Sequence, residues 1–156
     1  MFCGLPKFIV DFMLGKLARN LRLLGLDTVY VRHLNRKDIL TRSLEEERIL
    51  LTRSHNFPKR SNIYVIETDN PLEQTKEVVK VFKLSPNPFT RCAVCNLPIE
   101  KVNKEDVKEK VPPFVFKTQN EFARCAGCGR IYWKGTHYEN IRKMIGEIMG
   151  GNGVME

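Results

Sequence analysis

Two cysteine pairs, Cys92-Ala93-Val94-Cys95 and Cys125-Ala126-Gly127-Cys128, constrain this chain more than any other feature, because four sulfurs from two tight turns can meet at one point. Each Cys-x-x-Cys knuckle presents two thiolates to one side, and two knuckles complete the tetrahedral shell that zinc takes at about 2.3 Å. Gly127 and Gly129 give the second knuckle its turn freedom. The 29 residues between the pairs exceed a compact finger and suit a ribbon with an extended hairpin or an inserted loop. Four sulfurs close the shell, so the expected metal is one structural Zn ion with no open catalytic position. A redox role would leave one pair idle, and disulfides are disfavoured in a reducing compartment. Cys3 is left over, as a small buried apolar residue or part of a frayed terminus.

A second constraint lies in residues 7–27, KFIVDFMLGKLARNLRLLGLD. Phe8, Ile9 and Val10 form an apolar run too short for a helix, and it ends on the carboxylate of Asp11, the pattern of a buried strand that delivers an acid to its C-terminal edge. Met13, Leu14, Leu17, Ala18, Leu21 and Leu24 then recur at the spacing of one helical face, stopped by Gly25. The opposite face carries Lys16, Arg19 and Arg22, cations placed to meet a phosphate-bearing ligand or simply solvent. Residues 28–31, 48–51 (RILL) and 63–66 (IYVI) read as further strands. Asn35 caps a helix that carries Asp38 in its first turn and has a weak apolar face of Ile39, Leu40 and Leu44. Asn70, Pro71 and Glu73 start another helix, with Leu72, Val78, Val79 and Phe82 on its buried side.

Strands alternating with helices predict an α/β fold with a mainly parallel sheet. Parallel strands share their C-terminal side, so Asp11, the polar residues 52–56 and the cluster Glu67, Thr68, Asp69 are expected along one edge, where open sheets bind ligands. Carboxylates gathered there beside Lys and Arg suit Mg or Mn, hard cations that take oxygen ligands. Each acid also has a local use: Asp11 as a helix cap, Asp38 as a first-turn residue favoured by the helix dipole, Asp69 as a turn former.

The formal charge of +8 makes a polyanion the expected partner, with nucleic acid ahead of a membrane surface. No run approaches the about 18 apolar residues of a membrane span, and Pro6, Lys7 and Asp11 interrupt any signal-peptide core, so the expected location is cytoplasmic. Residues 84–88 read as a linker. Beyond them, residues 94–102 and 114–131 lack helical periodicity, 103–110 reads as a charged solvated loop, and 138–149 as a final helix. Arg130, Tyr132, Trp133, Lys134 and His137 follow the second knuckle, a set open to two uses: stacking on bases and gripping phosphates, or packing Trp133 into the ribbon.

With FIVDFMLGKLARNLRLLGLDT, RILLTRS, TDNPLEQ, RCAVCN, VPPFVF and FARCAGCGRIYWKGTH in this order, nearly the whole chain resembles the PIN-like ribonuclease domain with an appended zinc ribbon, a family named for the C-terminal domain of the Mut-seven exonuclease. The resemblance implies a three-layer PIN-like domain and metal-dependent cleavage of RNA. It implies that Asp11, Asp38 and Asp69 are the metal-site acids; as an enzyme they would hold one or two Mg or Mn ions, with Lys16, Arg19 and Arg53 expected to position the RNA backbone. Two departures matter: Ser54 stands where the family has Asp, which weakens one metal ligand, and Asn20 stands where it favours Trp. His55 and Glu67 are candidates to compensate for Ser54.

The expected organisation is a PIN-like α/β domain over residues 1–84, a four-cysteine zinc ribbon over 89–137, a C-terminal helix over 138–149 and a flexible tail over 150–156. The expected function is metal-dependent RNA hydrolysis, with Asp11, Asp38, Asp69 and Ser54 at the centre and Arg22, Arg130 and Trp133 among the RNA contacts. The alternatives are an RNA- or partner-binding module with a weakened site, and an interaction protein whose ribbon docks another protein.

Overall fold

The computed structural model describes residues 5–150, so Cys3 and the expected tail beyond 150 lie outside the described residues. Four parallel strands form the main sheet: β1 (Lys7–Val10), β2 (Thr28–Tyr30), β3 (Arg48–Thr52) and β4 (Ile63–Val65), in the order β2-β1-β3-β4. Phe8, Ile9 and Val10 are wholly buried, and every residue of β3 is buried, as the unbroken apolar runs of a sheet covered on both faces require. Alternation then sorts the side chains by face. Phe8, Val10, Ile49 and Leu51 join Leu17 and Leu21 of α1 (Gly15–Leu23), Val78 and Val79 of α3 (Pro71–Val81), and Ile141, Ile145 and Ile148 of α5 (Thr136–Ile148) in the larger core. Ile9 and Leu50 point the other way, against Ile39 of α2 (Arg36–Glu45). The result is three layers, helices on both sides of a parallel sheet.

The caps form as their residue types require. The Asn35 side chain accepts from the Asp38 N–H at 2.8 Å, and that of Asn70 from the Glu73 N–H at 3.0 Å, with Pro71 in the first turn. Gly25 ends α1 at φ 86°, and a Cβ there would fall 2.2 Å from the Asn87 carbonyl oxygen, so only glycine lets the segment after α3 run this close. That segment is tied down, since the Asn87 N–H donates to the Leu24 carbonyl at 2.9 Å.

The C-terminal part holds a three-stranded antiparallel sheet of β5 (Ile99–Val102), β6 (Phe122–Cys125) and β7 (Ile131–Tyr132). Here the structure departs from the sequence reading. The charged run at 103–110 contains a 3-10 turn, Lys104–Val107, because Val107 is completely buried and anchors it. Pro113 opens a short helix, α4 (Pro113–Thr118), in a stretch without visible helical period, and its Val115 and Phe116 pack on Val107, Val111 and Phe122. Leu44 is exposed, and Ser43 takes the buried place on α2 with its hydroxyl donating to the Leu40 carbonyl at 2.7 Å. Met13 is exposed as well, because the chain after Asp11 winds first as a 3-10 turn, Phe12–Leu14. Asn20, the polar residue in α1, donates to the Thr75 hydroxyl of α3 at 3.0 Å and so links the two helices.

The first cysteine knuckle docks on the N-terminal edge of the main sheet. The Asn96 side chain accepts from the Thr28 N–H at 2.9 Å and donates to Asp27 at 2.8 Å, while Arg22 donates to the carbonyls of Thr28, Ala93 and Val94 at 2.8, 3.0 and 3.2 Å. Asp27 also pairs with Arg48 at 2.8 Å, and Arg48 reaches Glu46 at 2.7 Å. Burial pushes the Asp27 carboxyl up, but the hydrogen bonds from Arg48 and Asn96 outweigh it and hold the group below its usual range. A carboxylate depressed in the folded state adds stability above its unfolded pKa, and that stability is lost as pH falls through the folded value. The stability gap between wild type and Asp27→Asn is therefore expected to be widest near neutrality and to close below about pH 4 in urea denaturation. Arg48→Ala, which takes one cation from Asp27 and Glu46 while Asn96 and Arg42 still hold them, is expected to cost about 1–3 kcal/mol in the same assay.

Candidate functional site

The strand order places a switch point between β1 and β3. From β1 the chain crosses through α1 on one face to β2, then returns through α2 on the other face to β3, on the far side of β1. The crevice beyond the carboxyl ends of these two strands is where open α/β sheets take ligands. Asp11 follows β1 there, and Thr52 ends β3.

Asp11 is only 4% exposed. The Thr52 hydroxyl donates to its Oδ2, and the Met13 N–H donates to its Oδ1 at 3.2 Å, so the carboxylate is held from two sides. Thr52 is oriented in turn, accepting from the Ser54 N–H at 3.0 Å, and the Ser54 hydroxyl accepts from the Asn56 N–H at 3.1 Å. Among the described residues no cationic side chain pairs with Asp11. A buried carboxylate without a charge partner is expensive, and hydrogen bonds alone offset part of that cost. Carboxylate and hydroxyl oxygens at this position suit a hard cation such as Mg²⁺, which keeps several waters and needs only one or two direct carboxylates.

Asp38 stands exposed in the first turn of α2, and Asp69 stands exposed after β4 beside the Asn70 cap. Both lie on segments that leave the same sheet edge. The ligand oxygens of Asp11, Asp38 and Asp69 do not close to within 4.8 Å as a trio, so the structure gathers them at one edge but not into a tight cage. Sequence reasoning gave less weight to a pair at this edge: His55 and Glu67 meet at 3.0 Å, and Arg53 donates to the Glu67 carbonyl at 3.1 Å. The Nε of Arg53 is buried and has no hydrogen-bond partner. Lys16 and Arg19 are exposed on α1. Arg22 differs from them, since its guanidinium is committed to three carbonyls and serves the docking of the knuckle. On the ribbon Arg130 is exposed, whereas Trp133 is half-buried with its ring 6.3 Å from that of Phe122.

The cysteines converge. The Sγ atoms of Cys92, Cys95, Cys125 and Cys128 all lie within 4.8 Å of one another, and Cys92 and Cys128 are 3.9 Å apart, near the about 3.8 Å edge of a tetrahedron built on zinc–sulfur bonds. Burial pushes the Cys92 thiol up, but the Tyr132 hydroxyl at 3.0 Å and the N–H groups of Cys95 and Val94 outweigh it and draw it down to about 7. Cys95 is pushed up to about 12, first by its hydrogen bond to Cys128 and further by the charge of neighbouring sulfurs. Four sulfurs so close can all ionise only with a cation between them, and the cluster is compatible with a zinc site.

A family model described as the Mut7-C RNAse domain matches residues 6–145. No curated protein and no solved structure matches the chain. Among the described residues no helix is long and apolar enough to cross a membrane.

The purified chain is expected to carry one zinc per molecule by elemental analysis, and Cys92→Ser to carry none. Stripping the metal with a chelator is expected to lower the melting temperature, because zinc binding energy at a four-sulfur site is folding energy.

Proposed function

The chain belongs to the Mut7-C RNAse domain family, and on that premise we propose that it is a divalent-metal-dependent ribonuclease whose centre is the crevice at Asp11. The observation that carries this reading is the buried Asp11 carboxylate, fixed by Thr52 and Met13 at the switch point and lacking a cationic partner among the described residues. Asp11 would hold Mg²⁺ or Mn²⁺, with Asp38, Asp69 and the neutral oxygen of Ser54 as further donors from the same edge. When bound, such an ion stabilises charge growing on a phosphodiester and makes a water more acidic.

The chain's own residues do the rest. Thr52 keeps Asp11 in one orientation, so no reorganisation is needed when the phosphate arrives. Lys16, Arg19 and Arg53 bring positive charge to the backbone of the RNA, and association is steered by the net charge of +8. Glu67, paired with His55, adds negative charge to an edge where Ser54 supplies none. The four cysteines hold one structural zinc ion, and the ribbon braces the opposite edge of the sheet through Asn96 and Arg22.

A second reading has a specific observation behind it: Asp38 and Asp69 stand in solvent and do not close with Asp11 into one cage, as they would in a module that binds RNA and has lost turnover. Cleavage of a mixed single-stranded and structured RNA in Mn²⁺ separates the two. Wild type is expected to cut, Asp11→Asn to lose about a hundredfold or more, and Ser54→Asp to cut faster than wild type. An inert wild type beside an active Ser54→Asp establishes the binding module. Failure of both to cut removes the hydrolytic reading.

A further inference from the structure

The turn that follows Asp11 presents two large apolar side chains to water: Phe12 is 64% exposed and Met13 51%. Their exposure is not fraying. The Leu14 N–H donates to the Asp11 carbonyl at 3.1 Å, the Met13 N–H to the Asp11 carboxylate, and the Tyr30 hydroxyl to the Phe12 carbonyl at 2.8 Å. Gly15 fits closely beneath, since a Cβ there would stand 3.0 Å from the Tyr30 hydroxyl oxygen. The turn is thus pinned by the same carboxylate that Thr52 orients, and the position of the Phe12 ring is tied to that of Asp11.

Exposure of one apolar residue says little, but here two adjacent large apolar side chains are fixed outward by a hydrogen-bonded turn next to the buried Asp11. The next exposed residues along this segment are cations, Lys16 and Arg19 on α1. An apolar ring followed by positive charge matches a single nucleic-acid strand, whose base faces stack on aromatics while its phosphates meet Lys and Arg. A duplex keeps its base faces inside its own stack and offers nothing to such a ring.

We propose that Phe12, flanked by Met13, is a stacking platform for an unpaired nucleobase beside the phosphate placed at Asp11, which makes single-stranded RNA the substrate class. This rests on the RNA-hydrolysing reading above and names which RNA that site takes. The platform positions the strand; it takes no part in the bond-breaking step.

The test uses the full zinc-loaded chain, with Ca²⁺ in place of Mn²⁺, and a single-stranded RNA carrying 2-aminopurine. Wild type is expected to quench the fluorophore on binding. Phe12→Ala is expected to weaken binding about five- to a hundredfold, as loss of one stacked base does, with its melting temperature and its affinity for a duplex of the same sequence unchanged. Phe12→Tyr is expected to restore both quenching and affinity. The proposal is overturned if Phe12→Ala binds the single strand as wild type does, if wild type prefers the duplex, or if wild type does not bind the single strand. It is also overturned if Phe12→Ala only converts a wild-type dimer to a monomer, for then the ring belongs to self-association. Wild type that cuts RNA while Phe12→Ala binds it equally removes the platform alone; quenching without any cutting in Mn²⁺ keeps the platform and removes hydrolysis.

Discussion

The structure turns on the buried carboxylate of Asp11. Asp11 sits at the end of β1, beside β3 and almost out of reach of water, and the protein supplies it with a hydroxyl and a backbone N–H but no cation among the described residues. Those same bonds set the turn that holds Phe12 and Met13 outward, and through Thr52 they set the start of the loop that carries Ser54 and His55. One carboxylate therefore organises the acid, the loop and the exposed ring at this edge. A buried carboxylate with no cationic partner among the described residues, at the switch point of an open sheet, is where the proposed metal would bind.

The opposite edge is organised for permanence. Asn96, Asp27, Arg48 and Glu46 form a run of charge-assisted hydrogen bonds that joins the first cysteine knuckle to the start of β2, and Arg22 closes over the knuckle's carbonyls. α5 closes the same assembly from the other direction, burying Ile141, Ile145 and Ile148 in the core shared with α1 and α3. The cysteine cluster and the sheet are in this way one packed body, with the first cysteine knuckle bracing the end of the sheet remote from Asp11.

Much of this was legible in the residues. A short apolar run ending in an acid has few uses other than a buried strand, and Asn35 and Asn70 cap helices because their side chains complete the first turn whatever the rest of the chain does. The cysteine spacing announced the convergence of four sulfurs. What could not be read depends on contacts made late. Helical spacing put Met13 on the buried face, since periodicity does not reveal that the turn after Asp11 winds more tightly. Val107 lies in a charged run whose composition hides a buried anchor. Asn96 and Asp27 are 69 residues apart, and Arg22 and Ala93 are 71 apart, so no local pattern marks them as partners and Arg22 reads as one more surface cation. That Asp11, Asp38 and Asp69 do not close into one cage is equally a matter of three-dimensional placement, not of residue type.

The most direct measurement of the central claim is a Mn²⁺ titration of the zinc-loaded chain followed by paramagnetic broadening of backbone amide signals. One saturable site is expected, with broadening centred on the amides of Asp11, Phe12, Thr52 and Ser54 and absent in Asp11→Asn. Saturable broadening centred elsewhere, or an unchanged pattern in Asp11→Asn, would contradict it.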